Sequence, residues 1–245
     1  MNTIKANSIN ELQKLLVKKS TKLFLTGAVL IPLFTNLLVS QIFITDWMDL
    51  PEENIHFVLL DLFVHILLPL FIFITATDLF TGDSERGTLF PVRPISRMEL
   101  FLSKTMAIGI LILIQLLIVW LSVMTSSALI NKGFHLAIIP YSFGAFVVSL
   151  IPLMVITAFA VLMALVVHSS TLAISSMIVL YVIMEFIPYV LPDLLYLLPV
   201  SYLDWYTQLF GNISTRWILQ TITYLGSAFV LFFTTGYYMF SRKEA

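Results

Sequence analysis

Six apolar runs of transmembrane length constrain the fold of this chain more than any other feature of its sequence. They span residues 23–44, 57–77, 104–129, 140–167, 172–191 and 217–240. A helix needs about 20 mostly apolar residues to cross a bilayer. Of the 245 residues 59% are hydrophobic and 11% charged, more apolar surface than a soluble domain of this length can bury. The sequence therefore predicts an all-α polytopic integral membrane protein with about six transmembrane helices, forming a single domain over residues 1–245.

Residues 1–22 precede the first run and predict an amphipathic helix on the cytoplasmic surface of the membrane. Five lysines lie in this stretch, and Leu12, Leu15 and Leu16 recur at helical spacing. An ordinary cytoplasmic lead-in to the first span is the alternative interpretation. Because the lysine-rich start runs directly into a full-length span, we expect no signal peptide to be removed.

Lysine and arginine are distributed unequally between the two sides of the predicted membrane. Eleven of them lie in residues 1–22, in the segment 78–104 and at the C-terminus, whereas Lys132 and Arg216 lie on the other side. The positive-inside rule therefore predicts cytoplasmic termini in a multi-pass protein of the cell membrane, with the acidic loop 45–55 outside. A net charge of −1 provides no basic field, so we expect no nucleic-acid partner.

The longest polar stretch between the spans, residues 78–103, carries the most specific motif. It contains an acidic residue, a small residue, the pattern Glu-x-Gly-Thr-Leu, and Pro-Ile-Ser-Arg ahead of a lysine that opens the third span. The residues are Asp83, Ser84, Glu85, Gly87, Thr88, Leu89, Pro94, Ile95, Ser96, Arg97 and Lys104. Their order and spacing resemble the first cytoplasmic loop of ABC-2-type transporter permeases. The chain departs from that pattern at residues 91–94, where two prolines partly replace the usual apolar pair and leave the length of the short helix open.

The resemblance implies a coupling helix over residues 80–90, between spans 2 and 3, that docks in a groove of an ATPase subunit. The residue types agree, since Asp83 or Ser84 can cap a helix start and Glu85 in the first turn complements the helix dipole. The predicted ATPase-coupling residues are Asp83, Glu85, Arg86, Gly87, Thr88, Leu89 and Phe90. A solvated cytoplasmic loop whose arginines only set the topology is the alternative.

The same resemblance implies how such a chain works and what it works with. It implies a permease that pairs with a second copy or a similar permease in the lipid bilayer, above two cytoplasmic ATP-binding subunits. ATP and Mg would then be held by those subunits, and this chain would bind no cofactor. The exported substrate is expected to be amphipathic: a lipid, a drug or a peptide such as an antimicrobial peptide. The alternative is a non-transport immunity or scaffold protein of the membrane that binds a peptide or partner without ATP.

Three ionisable residues inside the apolar runs are candidates for a translocation path or gate. Asp61 and His65 are four residues apart, so they share a helix face and can form a hydrogen bond. Glu185 lies toward the outer end of the fifth run, where an acidic group could meet a cationic substrate. The alternative is that all three reach into the headgroup region without a role in transport. A secondary transporter would instead need protonatable groups near the bilayer midplane.

The sequence lacks the motifs of the enzymes that such a chain could otherwise resemble. It contains no His-Glu-x-x-His, no Gly-x-Ser-x-Gly and no Gly-x-x-x-x-Gly-Lys-Ser/Thr phosphate loop. It also has no cysteine, which excludes thiolate metal sites and disulfides. Glu52, Glu53 and His56 do not extend to the set that an intramembrane metalloprotease needs, because position 57 is Phe rather than Arg. We therefore predict no catalytic and no metal-binding residues.

Overall fold

The computed structural model describes residues 2–42, 55–85, 95–130, 137–208 and 215–242, and the regular structure within them is helical. The second apolar run forms one continuous element, because α3 passes through a π-helical turn (Phe63–Leu67) directly into α4. The α-helices are α1 (Asn2–Val17), α2 (Lys19–Ile42), α3 (Ile55–Leu62), α4 (Leu68–Glu85), α5 (Arg97–Ile130), α6 (Ile138–Val166), α7 (Ser170–Val190), α8 (Trp205–Gln208) and α9 (Thr215–Arg242).

Within the described ranges, six helical stretches are long and apolar enough to cross a membrane, which confirms the predicted polytopic all-α fold. They are Lys19–Leu38, His56–Glu85, Arg97–Leu129, Ile138–Val166, Ser170–Val190 and Arg216–Arg242. Six crossings bring both chain ends to one side, which we call the termini face. The other side, where α2, α5 and α7 end, is the opposite face.

Three spans form the centre of the bundle and three lie at its periphery. About half of the most apolar stretch is buried in α3–α4, α5 and α6 (50%, 56% and 56%), against 22%, 17% and 11% in α2, α7 and α9. Helix α9 approaches α6 closely at Gly236, where a Cβ atom would lie 3.8 Å from the Leu162 Cα atom. The peripheral spans therefore leave most of their surface for lipid or for another protein.

The helices α4 and α5 extend beyond the predicted apolar runs on the termini face. The second run was predicted to end at Thr77, but α4 continues to Glu85, and α5 begins at Arg97 rather than at Lys104. The continuation of α4 is explained by ion pairing, since Asp78 lies 3.1 Å from Lys18 and Asp83 pairs with Lys104. Paired carboxylates can remain within a helix that has left the apolar layer.

The first helix is not an isolated lead-in. Helix α1 packs along α5, and its Leu15 is fully buried in the hydrophobic core. Beside it an aromatic cluster joins α4, α5 and α9, with the Phe101 ring 5.8 Å from Phe80 and 5.5 Å from Phe240. The termini face is thus a packed layer to which four helices contribute.

Candidate functional site

One polar cluster surrounds Lys104 on the termini face. Lys104 is 1% exposed, and its Nζ atom donates a hydrogen bond to the Leu79 carbonyl oxygen at 2.8 Å. The same atom forms an ion pair with Asp83 and lies 3.9 Å from the Glu11 Oε2 atom. A buried ammonium group is stable only when charged or polar groups surround it, and here the Leu79 carbonyl and the Asp83 carboxylate accept hydrogen bonds while Glu11 adds a nearby negative charge. We call Glu11, Leu79, Asp83 and Lys104 the Lys104 cluster.

The Lys104 cluster connects three helices at the place where α4 ends. Glu11 belongs to α1, Leu79 and Asp83 to α4, and Lys104 to α5. Glu11 is held in turn by Lys14, whose Nζ atom lies 2.7 Å from its carboxylate. The N-terminal helix is therefore attached to the last turns of α4 by a charge network that is largely shielded from water.

Glu85, the last residue of α4, connects that helix to α7. Its Oε1 atom accepts a hydrogen bond from the Ser170 backbone N–H at 2.9 Å, and its Oε2 atom accepts one from the Ser170 hydroxyl at 2.6 Å. One helical turn earlier, the Thr81 hydroxyl donates to the Ala164 carbonyl oxygen of α6 at 2.5 Å. The end of α4 thus contacts α5, α6 and α7 directly and is connected to α1 through Lys104.

The structure corrects the prediction of a separate coupling helix at its N-terminal part. Asp83, Ser84 and Glu85 lie in the last turn of α4 rather than at the start of a new helix, because the Asp83 and Glu85 side chains have partners on other helices that keep α4 continuous. The other predicted coupling residues lie outside the described residues: Arg86, Gly87, Thr88, Leu89 and Phe90. Their role stays a prediction.

The second polar cluster lies at the opposite face and is centred on His65. The His65 Nδ1 atom lies 2.9 Å from the Asp61 Oδ1 atom, which confirms the predicted pairing along one helix face. The Nε2 atom lies 3.3 Å from Asp204 Oδ1. Because a carboxylate faces each ring nitrogen, both nitrogens can donate only when the imidazole carries two protons.

Glu185 belongs to the same cluster through Tyr181. The Tyr181 hydroxyl oxygen lies 2.7 Å from the His65 carbonyl oxygen and 2.9 Å from Glu185 Oε1. The carbonyl is accessible to it because the π-helical turn changes the backbone pairing at this point, where the Leu68 N–H donates to the Phe63 carbonyl oxygen. All three predicted gate residues therefore lie together. We call Asp61, His65, Tyr181, Glu185 and Asp204 the His65 cluster.

Two members of the His65 cluster were missed by the sequence analysis. Tyr181 reads as an ordinary apolar-run residue, although it precedes Glu185 by four positions on α7 and so shares its face. Asp204 lies in the proline-rich segment between the last two spans, which folds into short 3₁₀ turns (Pro192–Leu197 and Pro199–Tyr202) followed by α8. No spacing rule connects it to a histidine so far away in the chain. The Trp205 indole N–H anchors this segment by donating to the Val148 carbonyl oxygen at 3.2 Å.

The His65 cluster is rich in negative charge and lies near the ends of its spans. Loss of surrounding water raises the pKa of Asp204, which is outside the spans, to about 6, and the nearby Asp61 and Glu185 carboxylates add to this against the attraction of His65. Donor atoms of Asp61, His65 and Asp204 lie within 4.8 Å of one another, close enough to share one metal ion. Asp61 and Glu185 are each within roughly 9 Å of the nearest helix end at 1.5 Å per residue.

Comparison with known families accounts for nearly the whole chain. The profile described as "ABC-2 family transporter protein" matches residues 4–245. Among curated proteins, none matches this chain. The match covers both clusters and all six candidate spans.

Proposed function

This chain belongs to the ABC-2 family of transporter proteins and is a membrane permease of an ABC transporter. On that premise, we propose that it exports an amphipathic substrate: a peptide, a drug or a lipid. The energy comes from ATP that two separate cytoplasmic ATP-binding subunits hydrolyse. A second permease, identical or similar, completes the translocation path in the cell membrane. ATP and Mg are bound by the partner subunits and not by this chain.

The observation that carries this proposal is the set of contacts at the termini-face end of α4. The predicted coupling helix over residues 80–90 overlaps the end of α4, and its remaining residues, 86–90, follow Glu85 directly. Through Lys104 and Glu85, the last turn of α4 is attached to α1, α5 and α7. A displacement of the predicted coupling residues would therefore be transmitted to α1, α5 and α7 through the contacts of Lys104 and Glu85.

ATP supplies the bias between two conformations in this mechanism. Nucleotide binds more tightly to the closed ATPase pair than to the open pair, and only such a difference in affinity can shift an equilibrium. Closure of the pair brings the two coupling segments together and changes the arrangement of the spans, and hydrolysis resets it. With cytoplasmic termini, the His65 cluster faces the exterior, where it closes the path until the spans rearrange.

The direct test is whether the permease binds an ATPase subunit through the predicted coupling segment. The protein is purified from its own membranes in mild detergent, and ATP hydrolysis is measured in the eluate. The test variant is Arg86→Ala with Leu89→Ala. The control is Arg216→Ala with Leu219→Ala, which removes the same residue types at the same spacing from an exposed stretch at the opposite face.

We expect an ATPase subunit to accompany the wild type and the control, and recovery with the test variant to fall at least about tenfold, the loss expected when contacts worth about 1.4 kcal/mol or more are removed. If a folded and abundant wild-type protein brings no ATPase with it, the transport proposal is wrong. The passive immunity or scaffold function would then replace it.

A further inference from the structure

A groove runs along the outer surface of the bundle between α2 and the π-helical turn that joins α3 to α4. Its volume is about 310 Å³. Four of its lining residues come from the termini-face part of α2, and two come from the π-helical turn. The lining residues are Leu23, Phe24, Gly27, Ile31, Phe63 and Leu67. Because all of them are apolar, the groove suits an apolar chain rather than a polar ligand.

The groove exists because α2 is held at its two ends while Gly27 provides no side chain between them. At the termini face, Lys18 immediately precedes α2 and forms an ion pair with α4. Toward the opposite face, the Asn36 amide donates to the Ser126 hydroxyl at 2.7 Å and holds α2 against α5 instead. A Cβ atom at Gly27 would lie 3.7 Å from the Ile31 Cδ1 atom, which is an ordinary contact distance. A larger side chain at Gly27 would therefore fill part of the groove without straining the helix.

The length of the groove matches one leaflet of a bilayer. From Lys19, the first residue of α2, to Ile31 the helix rises about 18 Å at 1.5 Å per residue. The hydrocarbon core of a bilayer is about 30 Å thick, so one leaflet occupies about 15 Å of it. The groove thus extends from the headgroup region of the termini-face leaflet to about the middle of the membrane.

A groove in this position is filled by an acyl chain rather than by a helix. Lipid tails are as apolar as the lining residues, so contact and not the hydrophobic effect favours their entry, because lining atoms without neighbours lose their van der Waals attraction. A helix about 10 Å across would occupy roughly 1,400 Å³ over the same length, several times the volume of the groove. A single flexible chain fits the available space.

Two exposed lysines stand at the termini-face end of α2, and one of them is in line with the groove. Lys19 and Lys22 form no ion pair within the described residues, whereas the preceding Lys18 pairs with α4. Lys19, Leu23 and Gly27 follow one another at four-residue intervals, so they lie on one ridge of the helix. Lys22 begins the neighbouring ridge. The ammonium group of Lys19 therefore reaches the headgroup region directly above the groove.

The other two peripheral spans lack this combination of a cation and an apolar groove. Helix α7 contains no lysine or arginine. At the termini-face end of α9, the Arg242 guanidinium already lies over the Tyr238 ring, 4.4 Å from its centroid. Among the described peripheral spans, α2 is thus the one that offers a charge for a headgroup together with a groove for a chain.

We propose that an anionic phospholipid of the termini-face leaflet binds here, with its phosphate beside Lys19 and one acyl chain in the groove over Gly27. Lys19 supplies the opposite charge, and the positive end of the α2 dipole adds to it. With cytoplasmic termini, this is the inner leaflet. The inference goes beyond the proposed function, because the lipid is a resident ligand of the permease and its binding requires neither ATP nor transport.

Native mass spectrometry tests the site, because it counts the lipid molecules that the protein retains. The permease is purified in detergent, stripped of lipid and titrated with phosphatidylglycerol, or with phosphatidylcholine that has the same acyl chains but no net charge. The test variants are Lys19→Ala and Gly27→Leu. Lys22→Ala is the control for the charge. Gly226→Leu is the control for the groove, since among the described residues a Cβ atom there would have no neighbour within 4 Å.

We expect the wild type to bind its first phosphatidylglycerol at least about fivefold more tightly than phosphatidylcholine, the factor expected for one lysine near an anionic headgroup. Lys19→Ala should lose this preference, whereas Lys19→Arg and Lys22→Ala should keep it. Gly27→Leu should weaken the binding of the first phosphatidylglycerol about tenfold or more, because the leucine side chain occupies the space of the acyl chain. Gly226→Leu should bind as the wild type does.

Equal affinity of the wild type for the two lipids overturns the proposal, and so does undiminished binding by Gly27→Leu. If Lys22→Ala loses as much preference as Lys19→Ala, the lysines attract anionic lipid without a defined site, which also overturns it. The same spectra give the mass of the oligomer. If Gly27→Leu separates a dimer while lipid binding persists, a second copy of the chain occupies the groove and the proposal is wrong.

Thermal unfolding distinguishes a lost site from a damaged protein. Leucine is a much better helix former than glycine, so Gly27→Leu should unfold at or above the temperature of the wild type. Lys19→Ala changes an exposed side chain and should leave the unfolding temperature nearly unchanged. The two variants act on different parts of the site, so Lys19→Ala decides the question if Gly27→Leu folds poorly.

Discussion

The Lys104 cluster and the His65 cluster lie at opposite faces of the bundle and share only the α3–α4 span, yet their charges are arranged in opposite ways. Lys104 is 1% exposed and is surrounded by acidic and carbonyl oxygens within one compact layer. His65 is 20% exposed and faces Asp204, whose side chain is 58% exposed. The first cluster balances a buried charge, whereas the second combines one imidazole with three carboxylates in a partly wet site. A balanced buried network resists rearrangement, and an unbalanced exposed one can exchange partners.

The largest effect is expected from removing the buried cation. Lys104→Met leaves the buried Asp83 carboxylate without its counter-charge and Glu11 with Lys14 alone, and we expect a loss of about 3–5 kcal/mol in the free energy of unfolding. Thermal unfolding in detergent measures it. The control is Lys14→Ala, which removes a lysine that also pairs with Glu11 but is 59% exposed, and which should cost less than about 1 kcal/mol. Equal losses in the two variants would remove the distinction between the clusters.

A smaller effect is expected at the opposite face. Tyr181→Phe removes the hydroxyl that contacts both His65 and Glu185, and we expect a loss of about 1 kcal/mol, the usual contribution of a hydrogen bond. Hydrogen exchange should increase at the backbone amides of residues 63–68 while the Lys104 cluster stays protected. Tyr202→Phe, which removes an exposed hydrogen bond on the same face, is the control and should leave that exchange unchanged. A loss of protection at both faces would mean that the clusters are not independent.

The smallest effect concerns the pH dependence of Asp204. Its pKa is raised from 3.8 to about 6, so the folded protein holds the proton more tightly than the unfolded chain between these values. The resulting stability is complete below pH 3.8 and is lost as the pH rises through 6. Asp204→Asn stays uncharged, so its melting temperature relative to the wild type should increase from about pH 4 to about pH 7. A constant difference across that range would show that Asp204 does not change protonation there.

Local patterns predicted from the sequence were the ones that the structure confirmed. The apolar runs specify the six candidate spans, and the four-residue spacing of Asp61 and His65 specifies their contact, because both depend only on helix geometry. The continuation of α4 to Glu85 was missed because a stretch with several acidic residues is typical of a loop when the partners of those residues are unknown. Those partners come from other elements: Lys104 from α5, and Ser170 from α7.

Contacts between distant parts of the chain limited the prediction of both clusters. Lys104 was recognised as the residue that opens the third span, but nothing in the sequence connects it to Glu11. Asp204 lies among tyrosines and prolines, a composition that indicates a membrane interface and does not single out one carboxylate. Tertiary packing brings these groups together, and that packing cannot be read from residue spacing.

The hydrogen bonds that Glu85 of α4 accepts from Ser170, at the start of α7, have a consequence for the order in which the helices pack. Glu85 precedes Ser170 by 85 residues, so the ribosome delivers the capping carboxylate well before the helix that needs it. We therefore expect the hairpin of α6 and α7 to complete its packing only after α4, which carries the group that accepts from the Ser170 N–H, is in place.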